Sequence, residues 1–131
     1  MYGDGLNVRD WLYVQDHCSA IDLVLNKGKN GQTYLVGGLS KDISNLEVVK
    51  TILEIMDESE NMIEFVKDRA GHDRRYAIDW TKINQELGWQ PSVSFEEGLS
   101  QTINWYKNNQ DWWQPLKQQA QDFYKQNYKT S

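Results

Sequence analysis

The sequence of 131 residues is poor in cysteine, proline and positive charge, and it has no long apolar run. Its single cysteine, Cys18, excludes an intrachain disulfide and predicts a reduced, cytoplasmic setting. No stretch of 18 consecutive apolar residues occurs, and the first twenty residues are polar, so we expect neither a membrane span nor a signal peptide. The net charge of −5 disfavours binding to nucleic acid or to an anionic membrane.

Several motifs of nucleotide-dependent catalysis are also missing. Gly3-Asp4-Gly5 lacks the third glycine of G-x-G-x-x-G, and there is no Walker loop and no G-x-S-x-G elbow. None of the seven tyrosines has a lysine four positions later, so the Tyr-x-x-x-Lys pair of short-chain dehydrogenases is absent. With two histidines and one cysteine, a zinc site is not expected. We therefore predict no cofactor site and no metal site in this chain.

Apolar residues at helical spacing, together with capping residues, predict four helices. They are a helix over residues 17–27 capped by Asp16 and ended by Gly28, two helices opened by the S-x-x-E boxes Ser44/Glu47 and Ser94/Glu97, and a short helix between Asp79 and Gly88.

Short apolar runs predict extended segments at residues 8–14, 33–36, 63–66 and 76–78. Helices alternating with a few short strands predict an α/β domain, although these strands are too few for a complete doubly wound sheet. We expect one domain over residues 1–115. Residues 116–131, rich in Gln and Lys, are expected to form a polar tail that is either a marginal helix or frayed.

Arginine is confined to two places in the sequence. Arg69, Arg74 and Arg75 lie within seven residues of one another, and Arg9 is the only other arginine. Because the guanidinium fork matches phosphate oxygens, this clustering indicates an anion site. The alternative is a solvated loop in which the arginines pair with aspartates such as Asp68, Asp73 and Asp79.

Two neighbours of these arginines suit either interpretation. Gly71 would allow a tight turn and a close approach of the backbone to a ligand, or it is an ordinary turn glycine. His72 could donate to a phosphate, or it could simply pack.

Several longer strings are characteristic of one family. Residues 8–14 read V-R-D-W-L-Y-V, residues 68–79 read D-R-A-G-H-D-R-R-Y-A-I-D, and residues 86–89 and 95–98 read E-L-G-W and F-E-E-G. Over residues 2–115 the chain closely resembles the C-terminal part of the dTDP-glucose 4,6-dehydratases, which are extended short-chain dehydrogenase/reductases. The resemblance implies an α/β substrate-binding lobe with the Rossmann half absent.

In that family an NAD-dependent hydro-lyase reaction converts dTDP-glucose to dTDP-4-keto-6-deoxyglucose for deoxysugar (rhamnose) biosynthesis. NAD and the catalytic Tyr and Lys belong to the N-terminal half, and the C-terminal part closes over the sugar nucleotide. The resemblance implies binding of dTDP or a dTDP-sugar, without NAD in this chain. By position, Tyr2 would line the nucleotide pocket, Arg9 and Arg69 would grip the pyrophosphate, and a loop with Asp68, Gly71 and His72 would lie beneath it.

Two positions depart from the family pattern. Leu35 replaces an asparagine that contacts the diphosphate side, and Ala70 replaces a proline. Leucine cannot donate that hydrogen bond, and the loss of such a charge-assisted contact costs about 1.5 to 3 kcal/mol. We expect a truncated, catalytically inactive lobe.

Two alternatives remain open at this point. The chain could be a stand-alone nucleotide-binding or interaction module that has lost catalysis. Apolar surface left uncovered by the missing half also predicts assembly, either as a homo-oligomer or with a complementing Rossmann polypeptide.

Overall fold

The computed structural model describes residues 1–38 and 42–127. In these ranges the chain forms two strands, five α-helices and a 3-10 turn at Glu60–Met62. They are β1 Val8–Arg9, α1 Val14–Lys27, β2 Ile43–Ser44, α2 Asn45–Met56, α3 Thr81–Leu87, α4 Phe95–Asn108 and α5 Gln110–Asn127. The two strands pair antiparallel, with Val8 opposite Ser44 and Arg9 opposite Ile43. Two compact units are formed, Met1–Ser100 and Gln101–Ser131.

The helix predicted after Ser44 is confirmed, because its start is encoded locally. The Ser44 hydroxyl accepts a hydrogen bond from the Glu47 amide at 3.2 Å, and the Glu47 carboxylate accepts one from the Ser44 amide at 2.7 Å. This reciprocal arrangement satisfies two amides that the first turn leaves without helical partners. The predicted short helix before Gly88 is also present, and the Asp79 carboxylate accepts from the Thr81 amide at its start.

The predicted start of α1 is wrong. The helix begins at Val14 rather than at residue 17, and its N-cap is Tyr13, not Asp16. Asp16 lies in the first turn, where it is buried, and its carboxylate accepts from the Ser92 amide at 3.0 Å, the Ser92 hydroxyl at 2.7 Å and the Val93 amide at 3.0 Å. Asp16 therefore ties α1 to the segment that precedes α4.

Most of the predicted extended segments do not become regular strands. Segment 8–14 is shortened to Val8–Arg9, and segments 63–66 and 76–78 adjoin only isolated parallel bridges, Tyr2 with Val66 and Val8 with Arg75. The pairing strand β2 was not predicted. A strand needs a backbone partner, which apolar composition does not reveal.

The strand predicted at residues 33–36 is not present: this segment has no regular secondary structure, and its backbone pairs with no other backbone in the described ranges. Its Tyr34 and Val36 side chains nevertheless pack against the buried core of Ala20, Ile83 and Trp89. The Trp89 indole donates to the Ser19 hydroxyl at 3.0 Å, and its ring meets Trp80 edge to face.

In the second unit, α5 continues through Pro115 as far as Asn127. The Trp113 indole donates to the Tyr106 carbonyl at 2.8 Å. No helix among the described residues is both long and apolar enough to cross a bilayer.

Replacing Asp16 by alanine is expected to lower the free energy of unfolding by about 1.5 to 3 kcal/mol, because it leaves the Ser92 and Val93 donors without their charged acceptor. Urea unfolding followed by tryptophan fluorescence measures this change. Asp22→Ala on the exposed side of the same helix is the matched control, with an expected effect within about 0.5 kcal/mol. Equal losses in the two variants would contradict the assigned role of Asp16.

Candidate functional site

Two distant parts of the chain, residues 1–9 and 64–76, run side by side in parallel. At one end the Val66 amide donates to the Met1 carbonyl at 2.7 Å, and the Gly3 amide donates to the Val66 carbonyl at 3.0 Å. At the other end the Val8 amide donates to the Arg74 carbonyl at 2.9 Å, and the Tyr76 amide donates to the Val8 carbonyl at 3.1 Å. Residues 67–73 therefore form a loop held at both ends.

This loop brings together four of the residues predicted from sequence. His72 Nδ1 lies 2.7 Å from Asp68 Oδ1, and the His72 side chain is 5% exposed. The Tyr2 ring meets the His72 ring edge to face at 6.4 Å, and the Arg69 guanidinium lies 5.3 Å from the centre of the Tyr2 ring. The hydrogen bond with His72 lowers the pKa of Asp68, which favours its charged form.

Gly71 lies in the turn of this loop with φ of +66°. A Cβ atom at this position would meet no atom within 4 Å, so the backbone dihedral, not crowding, favours glycine here. The tight turn predicted at Gly71 is confirmed.

The structure divides the arginines into two pairs. Arg74 Nη1 lies 2.8 and 3.1 Å from the two carboxylate oxygens of Asp4, and Arg75 makes two bonds of 2.9 Å to Asp42. These hydrogen bonds lower the pKa of both carboxyl groups. The solvated ion-pair interpretation holds for Arg74 and Arg75, although their partners are not the aspartates expected from sequence.

Arg9 and Arg69 have no carboxylate within ion-pair distance in the described part of the chain. Each lies instead against a tyrosine ring, Arg69 on Tyr2 and Arg9 at 4.6 Å from the centre of Tyr76. One Arg9 donor is bound to the Val8 carbonyl at 2.6 Å. A guanidinium has five donors, so most of those on these two arginines remain available to an anion.

Tyr76 and Asp73 join the site, whereas the sequence predicts Asp73 only as a possible ion-pair partner of the arginines and gives Tyr76 no role. The Tyr76 hydroxyl donates to the Asp73 carboxylate, and this bond raises the pKa of Tyr76. The positive charges of Arg9 and Arg69 oppose this rise in pKa, and the Arg9 guanidinium lies 4.6 Å from the centre of the Tyr76 ring. A tyrosine directly after an arginine pair was the available signal.

Leu35, the departure from the family pattern, is 53% exposed. Three residues later the Gly38 amide donates to the Asp10 carboxylate at 2.5 Å, and the same carboxylate accepts from the Ile78 amide at 3.0 Å. A Cβ atom on Gly38 would lie 2.0 Å from the Trp11 carbonyl oxygen, so only glycine fits there.

The glycines near the N-terminus do not form a dinucleotide cradle. A Cβ on Gly3 would meet the Asp68 carboxylate at 2.8 Å, and one on Gly5 would meet Met1 at 3.0 Å, so the chain's own side chains fill the space beside them. They also lie in a turn before β1 rather than between a strand and a helix. These residues do not fit NAD. Among the described residues no three His, Cys, Asp or Glu side chains are grouped to hold a metal ion.

A family model described as GDP-mannose 4,6 dehydratase matches residues 1–102. The dTDP-glucose 4,6-dehydratase of Xanthomonas campestris pv. campestris is 51% identical over 121 residues, covering 86% of this chain and 34% of the relative. The dTDP-glucose 4,6-dehydratase of Escherichia coli is 49% identical over 125 residues, with 87% and 34% covered.

Solved structures give the same result. The dTDP-glucose 4,6-dehydratase of Bacillus anthracis, in complex with NAD, has a TM-score of 0.81 and 52% identity, covering 88% of this chain and 36% of its own. The enzyme of that name from Streptomyces venezuelae, with NAD and TYD (thymidine diphosphate) bound, has a TM-score of 0.82 and 44% identity, with 88% and 35% covered. A UDP-glucose 4-epimerase from Thermotoga maritima, with UDP-glucose, has a TM-score of 0.76 and 32% identity, with 82% and 34% covered.

The chain belongs to the GDP-mannose 4,6-dehydratase family. Within it, relatives at about 50% identity are dTDP-glucose 4,6-dehydratases, and this chain matches their C-terminal part, about a third of their length. The resemblance predicted from sequence is confirmed. So is the fold class, because a helix-rich chain with two short strands matches the C-terminal portion of an extended short-chain dehydrogenase/reductase.

Replacing Asp73 by asparagine is expected to lower the pKa of Tyr76 towards the ordinary tyrosine value of about 10. The pKa of Tyr76 is raised in the folded state. The interaction with Asp73 therefore stabilises the fold fully at pH values below the unfolded-state pKa, and this stabilisation is lost as the pH rises through the folded-state pKa. Carbon-13 NMR of the tyrosine ring carbons, assigned with Tyr76→Phe, follows the titration. Asp42→Asn is the control and should leave the Tyr76 titration unchanged; a Tyr76 pKa unaffected by Asp73→Asn would refute the assignment.

Proposed function

We propose that this chain binds the diphosphate of dTDP or of a dTDP-sugar through Arg9 and Arg69. The observation that carries the proposal is the division of the arginines. Arg74 and Arg75 are ion-paired with aspartates, whereas Arg9 and Arg69 each lie against a tyrosine ring without a carboxylate partner in the described residues. Two guanidinium groups with donors still available suit the two phosphates of a nucleoside diphosphate.

The other predicted residues have supporting roles in this proposal. Tyr2 lines the nucleotide and supports Arg69 with its ring face. Asp68 fixes one ring nitrogen of His72, which leaves the other nitrogen for a ligand. Gly71 lets residues 68–72 turn beneath the diphosphate. The structures of relatives solved with TYD and with UDP-glucose support a nucleotide-sugar ligand.

We further infer that the chain is the substrate-binding part of a system that converts dTDP-glucose to dTDP-4-keto-6-deoxyglucose in deoxysugar synthesis. This chain covers only 36% of a relative solved with NAD, and the glycines here do not fit NAD. The NAD site and the catalytic Tyr and Lys are therefore assigned to a region outside it. The alternative is a stand-alone nucleotide-binding or interaction module without catalysis, and the following experiment separates the interaction module from a chain that binds the nucleotide.

Titration calorimetry of the purified chain with dTDP is expected to show saturable binding. Arg9→Ala and Arg69→Ala should each weaken it about tenfold or more, since each removes charge-assisted hydrogen bonds to phosphate. Arg75→Ala removes the same charge from an ion-paired position and should change the affinity by less than about threefold. NAD should give no binding signal, and dTDP-glucose should remain unconverted.

Three outcomes would contradict these assignments. Failure to bind dTDP favours the interaction module, and equal losses in Arg75→Ala and Arg69→Ala remove the special role of the unpaired arginines. Formation of the 4-keto-6-deoxy product by this chain alone would overturn the proposed inactivity.

We propose in addition that the chain pairs with a polypeptide carrying the Rossmann half. A groove of about 390 Å³ lies between α1 and segment 32–36, lined by apolar side chains that include Ile21, Val24 and Leu25. Leu25 is 81% exposed, and the backbone of residues 33–36 pairs with no other described backbone. A segment with unpaired backbone beside an apolar helix face suits a partner that adds a strand and covers the helix.

The N-terminal two thirds of the Escherichia coli relative, expressed separately, is the partner to test. Sedimentation velocity is expected to show a one-to-one complex that Leu25→Asp abolishes, because the new carboxylate would be buried in the interface. Leu116→Asp, at a leucine that is also exposed, is the matched control. If the chain alone forms dimers that Leu25→Asp dissociates, a second copy covers this surface and the proposed partner is wrong.

A further inference from the structure

Resting on the diphosphate role given above, we propose that Tyr76 is a positioning residue of the site. Its ring supports the Arg9 guanidinium, and its hydroxyl, held by Asp73, keeps the ring in place. Neither the family resemblance nor the arginine pattern identified this residue. Four contacts of the described residues carry the proposal, beginning at the arginine and ending in the buried part of the fold.

The first contact is between the cation and the ring. The carbon at the centre of the Arg9 guanidinium lies 4.6 Å from the centre of the Tyr76 ring, close enough for a cation–π interaction. The Val8 carbonyl binds one Arg9 donor at 2.6 Å. The ring and the carbonyl together restrict a long side chain that has no carboxylate partner in the described residues.

The next contacts fix the ring. The Tyr76 amide donates to the Val8 carbonyl at 3.1 Å, so its backbone is attached to the strand that carries Arg9. The phenol donates to the Asp73 carboxylate three residues earlier. The Tyr76 ring and the Arg9 guanidinium are therefore both attached to the same two-residue strand, β1.

The last contact fixes Asp73. Its carbonyl accepts a hydrogen bond from Asn7 Nδ2 at 3.1 Å, and Asn7 is 1% exposed. The Asn7 carbonyl in turn accepts from the Asn45 amide at 2.9 Å, at the start of α2. A continuous chain of contacts thus runs from the buried Asn7 through Asp73 and Tyr76 to Arg9.

A restricted guanidinium loses less conformational freedom when it binds a phosphate than a mobile one does. Removing the ring should therefore weaken binding of the diphosphate without removing any group that touches it. The effect should depend on Arg9. This dependence distinguishes positioning from a merely structural role, since a general loss of stability would act whether or not Arg9 is present.

The test is a double-mutant cycle on dTDP affinity, measured by calorimetry. Tyr76→Leu is expected to weaken binding by about two- to fivefold, the size of an exposed cation–π contact. In an Arg9→Ala background the same substitution should leave the affinity unchanged. Tyr76→Phe keeps the ring and should recover most of the lost affinity relative to Tyr76→Leu. Equal weakening by Tyr76→Leu in both backgrounds would overturn the proposal.

A measurement without ligand separates this proposal from the proposed function. In NMR spectra of the free protein, the ring current of Tyr76 should shift the side-chain resonances of Arg9, and Tyr76→Leu should abolish the shift while urea unfolding confirms a folded variant. If Arg9 resonances are unaffected by Tyr76→Leu, Tyr76 does not position Arg9, whatever dTDP does. If the shift is present but the wild-type chain fails to bind dTDP, the diphosphate function is wrong and the support of Arg9 by Tyr76 stands.

Discussion

The two residues of β1 are hydrogen-bonded along both of their edges, and the candidate site depends on this. On one side Val8 pairs with Ser44 and Arg9 with Ile43. On the other side the Val8 backbone is hydrogen-bonded to residues 74 and 76. Each bond contributes only about 0.5 to 1.5 kcal/mol. Together they bring three distant parts of the chain to one place, including the strand that carries Arg9 and one end of the loop that carries Arg69.

Carboxylates distribute the charge within this arrangement. The chain is acidic overall, with a net charge of −5, yet its four arginines lie close to the paired segments. Exposed ion pairs stabilise a fold by only about 0.2 to 1 kcal/mol, so Asp4 and Asp42 matter more for charge than for stability. Because Asp4 and Asp42 pair with Arg74 and Arg75, Arg9 and Arg69 are the arginines to which the proposed binding of an anion is assigned.

Local signals in the sequence were reliable, and signals that depend on distant partners were not. The capping box at Ser44 and the stop at Gly88 act within one helical turn, so the sequence predicts α2 and the end of α3 correctly. The sequence predicts Asp16 as the N-cap of α1, because aspartate is a favoured N-cap residue. Its carboxylate instead accepts hydrogen bonds from the amides of Ser92 and Val93, which are 76 and 77 residues away. The prediction of a buried strand at residues 33–36 is wrong: Thr33 and Leu35 are exposed, Tyr34 and Val36 are only partly buried, and the backbone pairs with no other described backbone.

The sequence by itself determined the family, the presence of α1 to α4 and most residue types of the site, because motifs, periodicity and capping act between neighbours in the chain. Only the tertiary structure decided which arginines are neutralised, since Asp4 is 70 residues from Arg74 and Asp42 is 33 residues from Arg75. It also decided that Tyr76 and Asp73 belong to the site. Electrostatic pairing depends on distance in space, and that distance is set by the backbone bonds on the two edges of β1.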